Sequence, residues 1–386
     1  MVFNVYMDNK SKNIILIGPT PPPYTGQSLS FEMLINGCKE IGLRPLVVDI
    51  ARKTNKDSRY AWIFRVFELL SAYKNLVKYL FKYSRSNVYI TIAQSRQGFI
   101  RDFLYIWTCT LFKVNITAHL KGGNYDGFYS SQGYLLRFLI RLTLRSAKKI
   151  LVLGESLKEM YDFEPSLKNK ISVVHNGLPI SKRGSSKSIT PSGSVRILFL
   201  SNLIESKGYE DVVRALAILR DRYKINASAV FAGEFMVSED DKIKSSILQK
   251  KNNFNSLVSK LNLKNRVEFL GSVDGDLKWQ LFSRAHFFCL PTKYINEGQP
   301  VSIIEAMAYG CVILATKFRA ITDLIEDDVS GKFIRYLDPE SIAAAVNDIL
   351  LNHQYNKMSM EAIRIFDEKF TREIHLKNIL HEIMNQ

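Results

Sequence analysis

The sequence predicts an α/β protein built from two Rossmann-like, doubly wound parallel-sheet domains facing across a cleft. Three observations predict this. Apolar runs of 4 to 6 residues recur along the chain, which is how strands buried on both faces read. Helical stretches separate these runs, as the crossovers of a parallel sheet require. One polar, serine-rich segment interrupts the rhythm near the middle, and the rhythm then restarts.

The elements follow in order. The first half carries NIILIG from Asn13, PLVVDI from Pro45, VYITIA from Val88, NITAHL from Asn115, KILVLG from Lys149 and ISVVHNG from Ile171. The interruption, LPISKRGSSKSITPSGS, runs from Leu178 to Ser194 with six serines and three basic residues, and reads as a linker or exposed loop. The second half carries VRILFLSN, ASAVFAG, VEFLGSV, HFFCLP, CVILAT and GKFI. The predicted domains are therefore 1–180, a linker over 181–194, and 195–369, followed by a last helix within 370–386 for which Thr371 is a candidate N-cap.

Composition excludes several classes. Of 386 residues, 46% are hydrophobic and 23% charged, so disorder is a poor reading. Cys38, Cys109, Cys289 and Cys311 are far apart, which argues against a disulfide scaffold or a zinc site and suits a reducing compartment. The six histidines form no metal-binding cluster, so no metal cofactor is expected. No apolar run approaches the ~18 residues of a spanning helix, and the N-terminus MVFNVYMDNKSKN lacks the apolar core of a secretion signal. A cytoplasmic protein is the expectation.

Charge is distributed unevenly. The net charge of +16 divides into +13 over residues 1–180 (25 basic, 12 acidic) and +3 over the remainder (28 basic, 25 acidic). Lys74, Lys78 and Lys82 recur every four residues in one predicted helix, where Trp62, Phe67, Leu70, Leu76 and Leu80 line other faces. Arg137, Arg141 and Arg145 recur likewise in another, and no acidic residue occurs between Asp126 and Glu155. A basic stripe with aromatics suits the surface of an anionic membrane, and it equally suits packed helices with a solvated basic edge. Nucleic acid is not expected as a partner, because no binding motif accompanies the charge.

Ligands of doubly wound sheets bind at the carboxyl ends of strands, so the loops there are the informative ones. The first, GPTPPPYTGQS, is stiffened by four prolines, and Gly26 admits close backbone approach. It lacks the G-x-G-x-x-G dinucleotide fingerprint, which disfavours a dehydrogenase. His119 ends a strand before KGGN and either donates to a ligand hydroxyl or bonds backbone at a turn. Lys207 precedes Gly208 at a helix start, a place for a phosphate or for a solvated surface lysine. In LPTKYINEGQPVSIIEAMAYGCVILAT, Glu297 and Glu305 stand eight apart and bracket a helix start near Pro300. A carboxylate within that helix can accept hydrogen bonds from a ribose diol. One in the loop before it can face the sugar of a nucleotide diphosphate.

These features together resemble the retaining glycosyltransferases of the GT-B fold, family 4, over nearly the whole chain. The motif E-G-Q-P-V-S-I-I-E from Glu297 to Glu305 looks like the family's E-x7-E. The Gly26 loop, the His119 strand end, H-N-G from His175, S-N-L-I-E-S-K-G and L-G-S-V from Leu270 support it in order and spacing. The resemblance implies that Glu305 binds the donor ribose and that Glu297 contacts the transferred sugar. It places Gly298, Gln299, Pro300 and Val301 near sugar and phosphate, and Ser272 and Val273 beside the base. It implies that Lys207 neutralises the diphosphate, His119 hydrogen-bonds the sugar and Gly26 lies against the phosphate. The family usually has arginine where this chain has Asn202, so one cationic phosphate contact is missing. The resemblance also implies that the last helix crosses back to the first domain.

The expected activity is transfer of a sugar, with retention and without a metal, from a nucleotide-diphosphate sugar to an acceptor hydroxyl. UDP is the favoured nucleotide and GDP the next. A lipid-linked glycan at the inner face of the cell membrane, for a surface polysaccharide, is the expected acceptor. A nucleotide-sugar epimerase and a non-catalytic basic adaptor for membrane or nucleic acid are the alternatives.

Overall fold

A computed structural model describes residues 13–53, 61–84, 86–179, 184, 187, 189, 194–241 and 245–385. The N-terminal dozen residues, most of the predicted linker 181–194 and the side chain of Trp62 lie outside the described residues. The chain forms two units, Met1–Gly177 with Arg372–Gln386, and Leu178–Thr371.

The first unit runs β1 (Asn13–Gly18), α1 (Gly26–Glu40), β2 (Arg44–Asp49), α2 (Ala61–Lys82), β3 (Asn87–Ile92), α3 (Arg96–Leu111), β4 (Ile116–Leu120), α4 (Tyr125–Ser130), α5 (Tyr134–Ser146), β5 (Lys149–Val152) and β6 (Ile171–Val173). Its six strands are parallel in the order β2-β1-β3-β4-β5-β6. The order reverses between β1 and β3, as in flavodoxin-like sheets, rather than following the 3-2-1-4-5-6 Rossmann order. The second unit runs β7 (Val195–Leu200), α6 (Tyr209–Asp221), β8 (Ala227–Ala232), α7 (Ile247–Lys260), β9 (Val267–Gly271), α8 (Gly275–Arg284), β10 (Phe287–Leu290), α9 (Val301–Ala308), β11 (Val312–Thr316), β12 (Gly331–Ile334), α10 (Pro339–Leu351) and α11 (Tyr355–Lys369). Its parallel order, β12-β11-β10-β7-β8-β9, is the Rossmann one and reverses between β7 and β10.

All twelve apolar runs picked from the sequence are strands. The central ones are covered on both faces: every residue of β4, β10 and β11 is buried. That double burial is why these segments read as continuous apolar stretches rather than alternating ones.

The terminal helix α12 (Arg372–Met384) belongs to the first unit. Its Leu376, Ile379, Leu380 and Ile383, at helical spacing, share a core with Ile14, Leu16, Leu34 and Tyr89. Gly37 on α1 leaves room for this packing, since a Cβ there would stand 2.6 Å from Leu376 Cδ2. Asn87 Nδ2 donates to the Ile383 carbonyl at 2.8 Å, and Arg372 pairs with Glu40.

The two basic stripes differ in kind. On α2, Leu76 and Leu80 turn inward while Lys74, Lys78 and Lys82 stay exposed beside exposed Phe67, Leu70 and Phe81. On α5, Arg141 and Arg145 both reach the buried Glu164, at 3.1 and 2.7 Å. Burial alone would raise the Glu164 carboxyl, but the Ser166 hydroxyl and the two guanidinium groups outweigh it and bring it down to about 2. Arg137 donates to the Ser130 carbonyl and lies over the Tyr129 ring. The α5 stripe therefore offers less free charge than its sequence predicts, because Glu164, remote in sequence, claims two of its arginines. Among the described residues no helix is long and apolar enough to cross a membrane.

The packing of α12 sets a test. Truncating Leu376→Ala should cost roughly 2–5 kcal/mol, the usual range for a buried leucine. Hydrogen exchange at β1 and β3 amides reads it, with protection falling in the first unit and unchanged in β7 and β10.

Candidate functional site

In the second unit the strand order reverses between β7 and β10, so the loops that follow those two strands leave the sheet side by side. The loop after β7 makes a short 3-10 turn, Glu205–Lys207, and closes on Gly208 with φ +73°. A side chain at Gly208 would be strained there, and its Cβ would stand 2.6 Å from the Pro291 carbonyl oxygen. Close approach of the two loops thus depends on that glycine. The Lys293 N–H donates to the Ser206 carbonyl at 2.7 Å and ties them together.

This places Lys207 on Glu297. The ammonium donates to Ser201 Oγ at 2.8 Å, stands 3.3 Å from Glu297 Oε2, and lies 5.1 Å above the centre of the Tyr294 ring. The Thr292 hydroxyl donates to the same Glu297 oxygen at 3.3 Å, and the Glu297 N–H donates to the Tyr294 carbonyl at 2.9 Å. Both charged side chains are nearly enclosed, Lys207 with 12% and Glu297 with 10% of its side chain exposed. The turn Gly298–Gln299–Pro300 follows and is buried. It opens α9, whose cap residue Pro300 makes no side-chain cap. The N–H groups of Val301 and Ser302 thus stand at a helix start without a side-chain cap, in the loop that carries Lys207's partner Glu297, an arrangement that attracts an oxyanion.

Glu305, on α9, is buried and paired with Lys278 of α8 at 2.5 Å. Burial raises its carboxyl, and the Lys278 ammonium pulls it back in part. Lys278 rests 4.7 Å from the centre of the Trp279 ring, which stacks on Tyr309. The two glutamates of the motif thus have separate cations. Ser272 and Val273 follow the edge strand β9, where the Ser272 N–H donates to Glu234 Oε1 at 3.0 Å. Asn202 is exposed at the end of β7, next to Ser201. Lys207, Glu297 and the Gly298–Val301 turn are brought together. Glu305 has its own partner on α8, and among the described residues no hydrogen bond or ion pair joins Ser272, Val273 or the Asn202 side chain to Lys207 or Glu297.

Gly26 and His119 belong to the first unit. Gly26 is exposed at the start of α1, behind a capping box in which the Ser28 N–H donates to Thr25 Oγ1 and the Thr25 N–H to Ser28 Oγ. His119 is buried in β4, its Nδ1 2.9 Å from the Tyr89 hydroxyl. Burial first, then Lys121 and His375, hold its imidazole well below the usual histidine range. Sequence reasoning missed Ser201, Thr292, Tyr294 and Lys278. Ser201 and Thr292 had a signal, since each lies in the first residues beyond a strand's carboxyl end. Lys278 had none, being 27 residues from Glu305.

Residues 182–365 match the family model of glycosyl transferases group 1. An uncharacterized glycosyltransferase of Methanocaldococcus jannaschii is 26% identical over 240 residues, covering 59% of this chain and 57% of that relative. The capsular polysaccharide biosynthesis glycosyltransferase CapH of Staphylococcus aureus is 18% identical over 215 residues, covering 55% of each. These matches take in less than two thirds of the relatives' own length. The crystal structure of Anabaena HepE in complex with UDP-glucose superposes with a TM-score of 0.70 at 16% identity, over 97% of this chain and 100% of that one. Residues 182–365 are therefore similar to the glycosyl transferases group 1 domain, and the chain has the GT-B fold.

Lys278→Met should leave Glu305 as a buried, unpaired carboxylate. Its pKa then rises further above 4.5, its ordinary value. A raised acid favours the folded state at low pH and loses that advantage as pH rises. The variant's deficit against wild type should be roughly 3–5 kcal/mol at pH 8 and should shrink as pH falls toward 4.5. Denaturant unfolding across pH reads this, and a deficit independent of pH would show that Glu305 is not ionised.

Proposed function

We propose that the protein is a retaining glycosyltransferase that moves a sugar from a nucleotide-diphosphate sugar to an acceptor hydroxyl. The observation that carries this reading is the Lys207–Glu297 pair beside the uncapped start of α9. Breaking the sugar–phosphate bond leaves negative charge on the departing diphosphate and positive charge on the sugar ring. Lys207 and the first-turn N–H groups of α9 meet the diphosphate. Held by Ser201 and Glu297, the ammonium is in place before substrate arrives, so little reorganisation is needed when charge develops. Glu297, freed of Lys207 as the phosphate takes it, faces the sugar, and Glu305 accepts the ribose diol. His119 and Gly26 are the proposed contacts from the first unit, and Ser272 and Val273 those beside the base. The departing phosphate takes the acceptor proton on the face it leaves, which retains the anomeric configuration. No metal enters this scheme.

UDP is the proposed nucleotide, supported by the UDP-glucose bound to HepE, with GDP next. The proposed acceptor is a lipid-linked glycan of a surface polysaccharide, reached from the cytoplasmic side of an anionic membrane. The exposed Lys74, Lys78 and Lys82, with Phe67, Leu70 and Phe81 beside them, support that surface, as does the basic first half of the chain. CapH, a capsular polysaccharide biosynthesis glycosyltransferase, points the same way.

Thermal shift against a panel of nucleoside diphosphates and their sugars tests the donor. A ligand at 100 times its dissociation constant should stabilise by ~2.7 kcal/mol, and flat responses throughout would remove the reading. With a responding donor, Lys207→Met should lower kcat by roughly 10²–10³, the effect of losing one preorganised electrostatic contact. Sugar altered and released with no acceptor present would identify an epimerase instead. For the membrane, the protein should sediment with phosphatidylserine vesicles at low salt and dissociate at high salt, where screening shortens the reach of surface charge. Lys74, Lys78 and Lys82 changed together to Gln should abolish it, and unchanged sedimentation would refute the surface.

A further inference from the structure

Lysines with little exposure are compensated throughout this chain, with one exception among the described residues. Lys207 has Glu297, Lys250 has Asp241 and Lys278 has Glu305. Lys187 donates to the carbonyls of Phe282 and Ala285 and touches Cys311 Sγ. Lys121, immediately beyond β4, makes one hydrogen bond, to Asn176 Oδ1 at 3.2 Å, and pairs with no carboxylate among the described residues. An ammonium has three protons to place, so two of them lack a protein acceptor. Its enclosure pulls it down to about 7, with no opposing anion.

The surroundings are built to hold it. Gly122 lies so close to Gln94 that a Cβ would stand 2.3 Å from Gln94 Oε1, and that oxygen accepts the Asn124 N–H at 3.0 Å. The loop is thereby fixed to the end of β3. The N–H groups of Gly122 and Gly123 have no hydrogen-bond partner among the described residues. Two buried imidazoles lie within electrostatic reach, His119 and His375. His375 Nδ1 donates to the His175 carbonyl at 2.6 Å, while the Nε2 atoms of both rings are buried without a partner. Burial keeps both rings uncharged, with His375 lowered to about 3, so they neither compensate nor compete with Lys121 at neutral pH.

We propose that Lys121, with the N–H groups of Gly122 and Gly123, binds an oxyanion, a phosphate or carboxylate group carried by one of the two substrates. Binding of the anion stands apart from the glycosyl-transfer reading; its assignment to a substrate rests on that reading. A lysine ammonium and adjacent backbone N–H groups are the groups that recognise such an anion, and here each lacks a protein acceptor.

The test uses the full chain with ¹⁵N-labelled histidine, and the chain has only six histidines. Inorganic phosphate should shift the ring resonances of His119 and His375, in the wild type and equally in Lys207→Met. Lys121→Met should abolish the shift. Because it removes an uncompensated cation, that variant should melt no lower than wild type; Lys121→Gln, which can still bond Asn176, gives the same reading should methionine fail to fold. No shift in the wild type, or an undiminished shift in the Lys121 variants, overturns the proposal. The source then follows from two arms. Loss of one charge-assisted hydrogen bond weakens binding roughly 10- to 100-fold. If UDP binding weakens by that factor in Lys121→Met, the anion is the donor diphosphate; if UDP binding is kept and the acceptor KM rises, it is the acceptor's. If neither moves, no substrate anion binds there.

Discussion

An ammonium suspended between a hydroxyl and a carboxylate is the contact around which the second unit's loops are arranged. Lys207 reaches Ser201 at 2.8 Å and Glu297 at 3.3 Å because the sheet reverses its order between β7 and β10. Were those strands not neighbours, residues 90 apart in sequence would have no common exit from the sheet. The approach of the two loops is close enough to require Gly208 beside Pro291, where a Cβ would stand 2.6 Å from the carbonyl oxygen, and the neighbouring loop after β8 requires Gly233 beside Ser201, at 2.1 Å. The glycines are thus conditions for the electrostatics. A side chain at Gly208 would push apart the loops that carry Lys207 and Glu297, and one at Gly233 would press on Ser201, which holds the ammonium.

The two glutamates of the motif stand in different surroundings. Glu297 shares one oxygen between Lys207 and Thr292 in a loop at the mouth of the sheet. Glu305 sits one helical turn and more into α9, buried, with Lys278 as its cation. Burial raises Glu305, and its pair with Lys278 opposes that rise. In the proposed scheme a carboxylate paired with a cation in an enclosed place is the acceptor offered to the ribose diol. A lysine partner that can be drawn away by a more strongly charged ligand is what a diphosphate requires. Identical residue types eight positions apart are thus separated by which cation each meets.

The sequence carried the fold well because double burial leaves a direct trace: runs such as VILAT and FFCL need only be recognised as apolar and short. It marked the Glu297 loop as the end of a strand and the start of a helix for a related reason, since a G-Q-P turn breaks both periodicities there. What it could not carry were pairings made by the folded sheet. Nothing near Arg141 and Arg145 in sequence announces Glu164, and the stretch without acids from Asp126 to Glu155 made them look free. Lys278 belongs to Glu305 only because α8 and α9 pack in the same unit. Lys121 was passed over for His119, two residues earlier, because a histidine at a strand end draws attention while a lysine's lack of a counter-charge is visible only in three dimensions.

Charge in this protein is therefore best interpreted by what compensates it. The +16 of the whole chain says little by itself about any one residue. Arg141 and Arg145 are matched by Glu164, and Lys250 by Asp241, so these hold structure together. Lys74, Lys78 and Lys82 are solvated, where water does the compensating at little cost and long-range attraction to an anionic surface survives. Lys207 is matched by Glu297, a carboxylate in a loop, which in the proposed reading the diphosphate replaces. Lys121 is half-buried, bonded once and unmatched among the described residues. Of these four conditions, only the last leaves an ammonium without a counter-charge, held in a loop fixed by Gln94, and the proposed anion supplies one.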